Sequence, residues 1–194
     1  MIFYRRTLPH WHPEGVPIFL TWRLFGSLPA SPKRTATKPL TSSFATHFKR
    51  LDAALDKAPS GPLWLTDSAI ACAVKSAIHF GAENLDFYDL HAFVIMPNHV
   101  HLLITPKVSV PRLTNGLKGV TSRHANAILG RTRQHFWQDE SFDHWVRSPA
   151  QLESIRTYVE YNPVIAGLAE APEDWPWSSA SRLSRPSRPS RPSP

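Results

Sequence analysis

Cysteine is almost missing from this chain. Cys72 is the only one in 194 residues. A lone thiol excludes an intramolecular disulfide and a zinc site built from cysteines. It lies in the apolar stretch "AIACAVKSAI" and is expected to be a core residue in a reducing cytoplasm. No apolar run approaches the roughly 18 residues that a membrane span requires. The opening "MIFYRRTLPHWHPEG" holds no continuous apolar stretch, so no signal peptide is expected. Acidic residues are in the minority, 15 against 22 Lys and Arg, and the net charge is +7. This excess favours a polyanionic partner, nucleic acid first and an anionic membrane surface second. Arg185, Arg188 and Arg191 in the closing "RPSRPSRPSP" supply three of those charges, which leaves +4 on the remainder. Residues 185–194 repeat Arg-Pro-Ser and are expected to be disordered. Residues 1–184 are long enough for one domain, and the 42% hydrophobic content of the whole chain suits a sizeable core.

The hydrophobic periodicities fall in a definite order. "VPIFLTWRL" (16–24) reads as a strand bounded by Pro and Gly. Residues 28–43 are rich in Pro, Ser and Thr and read as a loop. Phe44, Phe48, Leu51 and Leu55 recur at helical spacing over 44–58. A second helix is predicted over 66–82, with Thr66 or Asp67 as its N-cap. Strands at 86–96 and 99–105 flank the turn residues Pro97-Asn98 and form an antiparallel hairpin. Residues 110–129 are helical by Leu113, Leu117, Val120 and Ile128, although Gly116 and Gly119 weaken that pattern. Residues 134–148 are strand-like but interrupted. A helix over 148–161 starts at Ser148-Pro149 and ends before Asn162-Pro163. Residues 173–183 form an aromatic coda packed on the domain. This order predicts an α+β fold: a ferredoxin-like, RRM-like four-stranded antiparallel sheet with helices on one face, plus a C-terminal helix. The other sheet face is then expected to be open to a partner.

"MPNHVHLLITP" (96–106) carries the chemistry. Alternate residues of a strand share a face, so His99 and His101 point the same way. Two adjacent neutral imidazoles are half of a metal site, or simply two histidines on a half-exposed strand. What is absent nearby narrows the choice. A histidine-triad hydrolase needs a third His at 103, which is Leu103. A two-histidine phosphoesterase needs two His-x-Thr or His-x-Ser motifs, and a zincin needs His-Glu-x-x-His. None of these is present. A metal nuclease needs another ligand and a nucleophile. In "RTYVEYNPVIAGL", Tyr158 and Asn162 stand four apart on one helical face. An amide oxygen can bind a metal, and a phenolate can attack a phosphodiester once a metal polarises it. Equally, Tyr158 can pack amphipathically and Asn162 can cap the helix.

Taken together, "MPNHVHLLITP", "LKGVTSRHAN", "FWQDESFDHWVRS", "YVEYNPVIAGL" and "DWPWSSA" resemble the single-tyrosine transposases of the His-hydrophobe-His (HUH) type. The opening "LPHWHPEGVPIFLTWRL" resembles the REP-associated tyrosine transposases among them. The likeness runs from about residue 8 to 182. It implies a divalent-metal nuclease and strand transferase acting on single-stranded DNA, beside hairpin-forming repeats, as a monomer or homodimer. It further implies His99 and His101 as metal ligands, Asn162 as a third polar ligand, and Tyr158 as the nucleophile that forms a 5′-phosphotyrosine. Tyr161 is a competitor that projects from a different face. Mg²⁺ or Mn²⁺ is the implied ion, and Mn²⁺ accepts imidazole more readily.

Arg112, Lys118 and Arg123 lie on or beside the 110–129 helix, and Arg147 and Arg156 lie near the last helix. Each is a candidate phosphate contact or part of a solvated basic face. Trp137, Phe142 and Trp145 are candidates for base stacking or for the core. Asp143 is a candidate for orienting a ligand. Two rivals stand beside the transposase reading: a hairpin DNA- or RNA-binding module of the same fold without catalysis, and a zinc-dependent hydrolase using His99 and His101.

Overall fold

The computed structural model describes residues 2–5, 9–12, 15–28, 55 and 61–182, the first two segments by their backbone. The helix expected over 44–58 (Leu55 excepted), the loop expected beyond residue 28 and the Arg-Pro-Ser tail lie outside the described residues. Strands β1 (Ile2–Arg5) and β2 (Pro9–His12) pair antiparallel in a two-stranded sheet that the sequence reading did not anticipate.

The main sheet contains β3 (Ile18–Arg23), β4 (Tyr88–Ile95), β5 (His99–Pro106) and β6 (Phe142–Trp145), in the spatial order β4-β5-β3-β6. All three pairings are antiparallel. With helices α1 (Ser68–Glu83) between β3 and β4 and α2 (Val110–Ile128) between β5 and β6, this is the expected ferredoxin-like arrangement. A third helix, α3 (Pro149–Ile165), follows β6.

Strand alternation gives the sheet two apolar faces. Ile18, Leu20, Trp22, Val100, Leu102 and Ile104 face α1 and α2 and form the larger core with Ile70, Val74, Ile78, Leu113 and Leu117. Phe19, Ala92, Val94, Met96 and Leu103 face the other way and pack on Ile155 and Val159 of α3. The face expected to be open is therefore covered by α3, because the alternation that buries one face leaves an apolar row on the other. A bulge between Leu90 and Ala92 sets the β4 register.

Local signals explain most boundaries. Asp67 caps α1 by accepting from the backbone N–H of Ala69 and Ile70. Gly81 lets Tyr88 approach: an added Cβ would lie 2.6 Å from Tyr88 Oη, which donates to Ile78 O at 2.6 Å. Cys72 is exposed rather than in the core, since the apolar run of α1 is wider than the stripe the helix buries. The strand expected over 134–148 shrinks to β6. Trp137 instead makes an isolated bridge to Leu24 and sends its indole N–H to Thr121 Oγ1 at 2.9 Å. Helix α3 runs through Pro163 to Ile165 instead of ending before Asn162. Pro163 forfeits one helical N–H, and the helix end is closed by Gly167 at φ +71°, with Leu168 N–H donating to Pro163 O and Gly167 N–H to Val164 O.

Candidate active site

His99 and His101 begin β5, at the end joined to β4 by the Pro97-Asn98 turn. That turn is held from both sides: Leu24 N–H donates to Asn98 O at 2.8 Å, and Leu65 N–H to Pro97 O at 3.2 Å. Thr21 and Arg23 of β3 lie opposite His101 and His99, so the four side chains share the face under α3. Both histidines are fully buried. Their Nε2 atoms converge to 3.1 Å.

The hydrogen bonds behind the rings set their protonation. Asn98 Nδ2 donates to Leu55 O at 2.9 Å, which turns Asn98 Oδ1 toward His99 Nδ1 at 2.7 Å. An amide oxygen only accepts. His99 Nδ1 therefore carries the proton, and His99 Nε2 presents a lone pair to the site. His101 Nδ1 lies 2.8 Å from Thr21 Oγ1, a hydroxyl that can donate or accept. With no cation present, His101 Nε2–H donates to His99 Nε2 and Thr21 donates to His101 Nδ1. When Thr21 accepts instead, both Nε2 lone pairs point into the same space. This is the ring-orienting arrangement that metal-binding imidazoles require.

Helix α3 brings the remaining groups. Ser148 caps it by accepting from Gln151 N–H, and Ile155 and Val159 fix its rotation against the sheet. Tyr158 is half-buried, with its ring centroid 6.3 Å from that of His101. Asn162 is buried at i+4 from Tyr158, and no donor among the described residues reaches its Oδ1, although the side chain has contacts elsewhere. Tyr161 is 49% exposed on another side of the helix. The donor set suits a divalent ion that accepts mixed nitrogen and oxygen ligands. The 3.1 Å separation of the imidazole nitrogens is close to the roughly 3 Å edge of an octahedron with bonds of about 2.1 Å. Among the described residues no cluster of three or more His, Cys, Asp or Glu side chains is placed to hold a metal. An ion here would thus rely on two imidazoles, an amide oxygen, and solvent or phosphate oxygens.

The basic candidates are dispersed. Arg112 is exposed, lies over the Phe87 ring at 5.0 Å, and sits at the far end of β5 from His99, about 20 Å away by strand rise. Lys118 Nζ donates to the carbonyls of Gln138 and Asp139 and so pins that loop. Arg123 is exposed and, with Lys118, lines a cavity of about 760 Å³ beside α2. Arg147 lies over Trp145 at 5.0 Å. Arg156 is paired with Glu160 at 3.6 Å and Glu153 at 3.8 Å, which absorbs much of its charge. Asp143 lies opposite Leu20 in the sheet and so turns away from the histidine face. His144, opposite Phe19 and bonded to Gln151 Nε2 at 3.2 Å, is pushed down to about 4 by burial and then by Arg147. His91, bonded to Thr105 Oγ1, is also lowered by burial.

Sequence reasoning missed Thr21, Arg23 and Asn98. Asn98 was legible only as a turn residue. Thr21 and Arg23 enter through the β3–β5 register, which a single strand pattern does not contain.

Sheet order and side-chain placement thus define a ferredoxin-like α+β protein whose paired imidazoles meet a tyrosine-bearing C-terminal helix. The family model described as IS200-like transposase matches residues 64–162, and the chain belongs to that family of DNA-processing enzymes. A Haemophilus influenzae protein described as a REP-associated tyrosine transposase is 26% identical over 119 residues, covering 56% of this chain and 67% of that protein. The REP-associated tyrosine transposase of Escherichia coli K12 is 22% identical over 95 residues, covering 49% of this chain and 56% of the relative. A solved structure of a REP-associated tyrosine transposase bound to a REP hairpin has the same fold, with a TM-score of 0.55 at 17% identity, over 96% of this chain and 89% of that one. Among the described residues no helix is long and apolar enough to cross a membrane.

Proposed function

We propose that this protein is a divalent-metal-dependent, single-tyrosine nuclease and strand transferase. Its substrate in this reading is single-stranded DNA beside hairpin-forming repeats. The observation that carries the reading is the convergence of His99 and His101 Nε2 at 3.1 Å, on the sheet face that α3 covers with Tyr158 and Asn162. A non-catalytic module has no use for two buried imidazoles whose Nε2 atoms meet in one space, with the His99 lone pair already turned into it.

His99, His101 and Asn162 would hold Mn²⁺ or Mg²⁺. When bound, the ion would withdraw electron density from the scissile phosphate and stabilise the charge that develops there. Tyr158 supplies the nucleophile. Its phenolic oxygen attacks phosphorus, a phosphotyrosyl bond forms, and the bond to the 3′ oxygen breaks. The phenolic proton passes to solvent, and the departing oxygen takes up a proton to end as a 3′-hydroxyl. The 5′-phosphotyrosine conserves the phosphodiester, so a second 3′-hydroxyl can reverse the step and join a new strand without a nucleotide cofactor.

The test is incubation with Mn²⁺ and single-stranded DNA carrying a hairpin drawn from repeats flanking the gene, followed by denaturing electrophoresis. A protein–DNA adduct that disappears with EDTA and in Tyr158→Phe supports the reading. Tight hairpin binding that survives EDTA, with no adduct, replaces it with a binding module. Bound zinc and DNA-independent hydrolysis replace it with the small-molecule enzyme.

A further inference from the structure

We propose that Arg23 is a phosphate-binding residue of this site, contacting a backbone phosphate of the single strand as it passes the histidine pair. The inference rests on the DNA-processing reading and adds to it a substrate contact that lies outside the histidine and tyrosine motifs.

Arg23 is the last residue of β3 and the cross-strand partner of His99. Such partners have Cβ atoms about 5 Å apart on one face, so the arginine stem starts beside the imidazole pair. Its main chain is fixed on both sides. Arg23 O accepts from Gln138 N–H at 2.9 Å, and the next residue donates to Asn98 O. β6 pairs with β3 only from Ile18 to Thr21, and beyond it the Trp137–Gln138 segment takes over the flank.

The side chain is half-buried, and burial lowers its affinity for the proton. Nη1 donates to the buried Ser27 hydroxyl at 3.2 Å, and no carboxylate among the described residues forms an ion pair with the guanidinium. Arg156, near the last helix, differs on this point: it has two glutamates. Partial desolvation of a permanent cation is costly without a counter-charge. A guanidinium with one donor spent on a hydroxyl keeps a planar fork that matches two oxygens of a phosphodiester. Neutral Ser27 steers the fork without cancelling its charge. A phosphate between Arg23 and the imidazole pair supplies the missing anion.

The test measures hairpin-DNA binding by fluorescence anisotropy in the Tyr158→Phe background, where cleavage is absent. Each backbone phosphate near the hairpin foot is replaced in turn by a neutral methylphosphonate. Arg23→Gln should weaken binding of the unmodified strand by about tenfold to a hundredfold, the usual scale of a charge-assisted contact. Arg23→Lys should recover part of the loss. At one phosphate position the methylphosphonate should erase the difference between Arg23 and Gln. The scan on the parent alone should show a loss of similar size at that position, a readout that survives poor folding of the glutamine variant. An Arg23→Gln penalty that is equal at every position, or no penalty, overturns the assignment. Failure of the wild-type protein to bind any hairpin strand would instead bring down the DNA-processing reading, and the Arg23 contact with it.

Discussion

Asn98 gives the sharpest test of how the histidine pair is prepared. Its amide spans two buried groups: Nδ2 donates to Leu55 O at 2.9 Å, and Oδ1 accepts from His99 Nδ1 at 2.7 Å. Asn98→Ala leaves a buried carbonyl and a buried imidazole N–H without partners. At about 1–3 kcal/mol for each unsatisfied group, unfolding stability should fall by about 2–6 kcal/mol. His99 also loses the bond that fixes its tautomer, and Mn²⁺ affinity should fall about 10- to 100-fold. Asn98→Asp separates the two effects. A carboxylate still accepts from His99 Nδ1 but cannot donate to Leu55 O, so stability drops while Mn²⁺ affinity is kept or rises. Urea unfolding of the metal-free protein and Mn²⁺ titration followed by electron paramagnetic resonance measure the two quantities. Unchanged Mn²⁺ affinity in Asn98→Ala, or equal losses of affinity in both variants, would refute the tautomer argument.

Other consequences follow from single contacts. Gly81→Ala places a Cβ 2.6 Å from Tyr88 Oη, and this overpacking should cost about 1–3 kcal/mol in urea unfolding; an unchanged midpoint would contradict the close approach. His144 is held near 4, below the ordinary 6.5, so the unfolded chain binds the extra proton first. Its contribution is complete above pH 6.5 and is lost as the pH falls from 6.5 toward 4. His144→Gln should flatten the stability profile in that window, and an unaltered slope would count against the assignment. Tyr161→Phe should leave DNA adduct formation unchanged, because that side chain is 49% exposed on another side of α3; loss of the adduct would move the nucleophile.

The sequence reading was strongest where a signal is local and periodic. Alternation in "HVHLLIT" placed both imidazoles on one face, and Asp67 and Ser148 marked helix starts that the structure retains. The order of elements was enough to anticipate a ferredoxin-like, four-stranded antiparallel sheet. It failed where a property belongs to a pair of elements. Whether α3 covers the second sheet face depends on Phe19, Ala92 and Leu103 meeting Ile155 and Val159, and no single segment contains that contact. The exposure of Cys72 has the same origin, since the apolar run on α1 shows that a face is buried but not how wide it is. Pro163 misled because proline removes a helical N–H, yet the packing of Ile155 and Val159 on the sheet carries the helix past it to Ile165. In the candidate site, His99, His101, Tyr158 and Asn162 were visible as motif residues. The bonds from Asn98 and Thr21 that orient the imidazoles were not, because they depend on the strand register and on the carbonyl of Leu55.

The central claim is that Tyr158 attacks DNA beside a metal held by His99 and His101. The most direct measurement is mass spectrometry of the adduct formed with Mn²⁺ and hairpin DNA, after nuclease trimming and trypsin digestion. Residues 157–182 form one tryptic peptide that contains both Tyr158 and Tyr161, and fragmentation separates them. The account predicts a nucleotide joined through its 5′ phosphate to Tyr158 alone, and no such peptide from His99→Ala, His101→Ala or EDTA-treated protein. A nucleotide on Tyr161, a 3′ linkage, or an adduct indifferent to both histidines would contradict it.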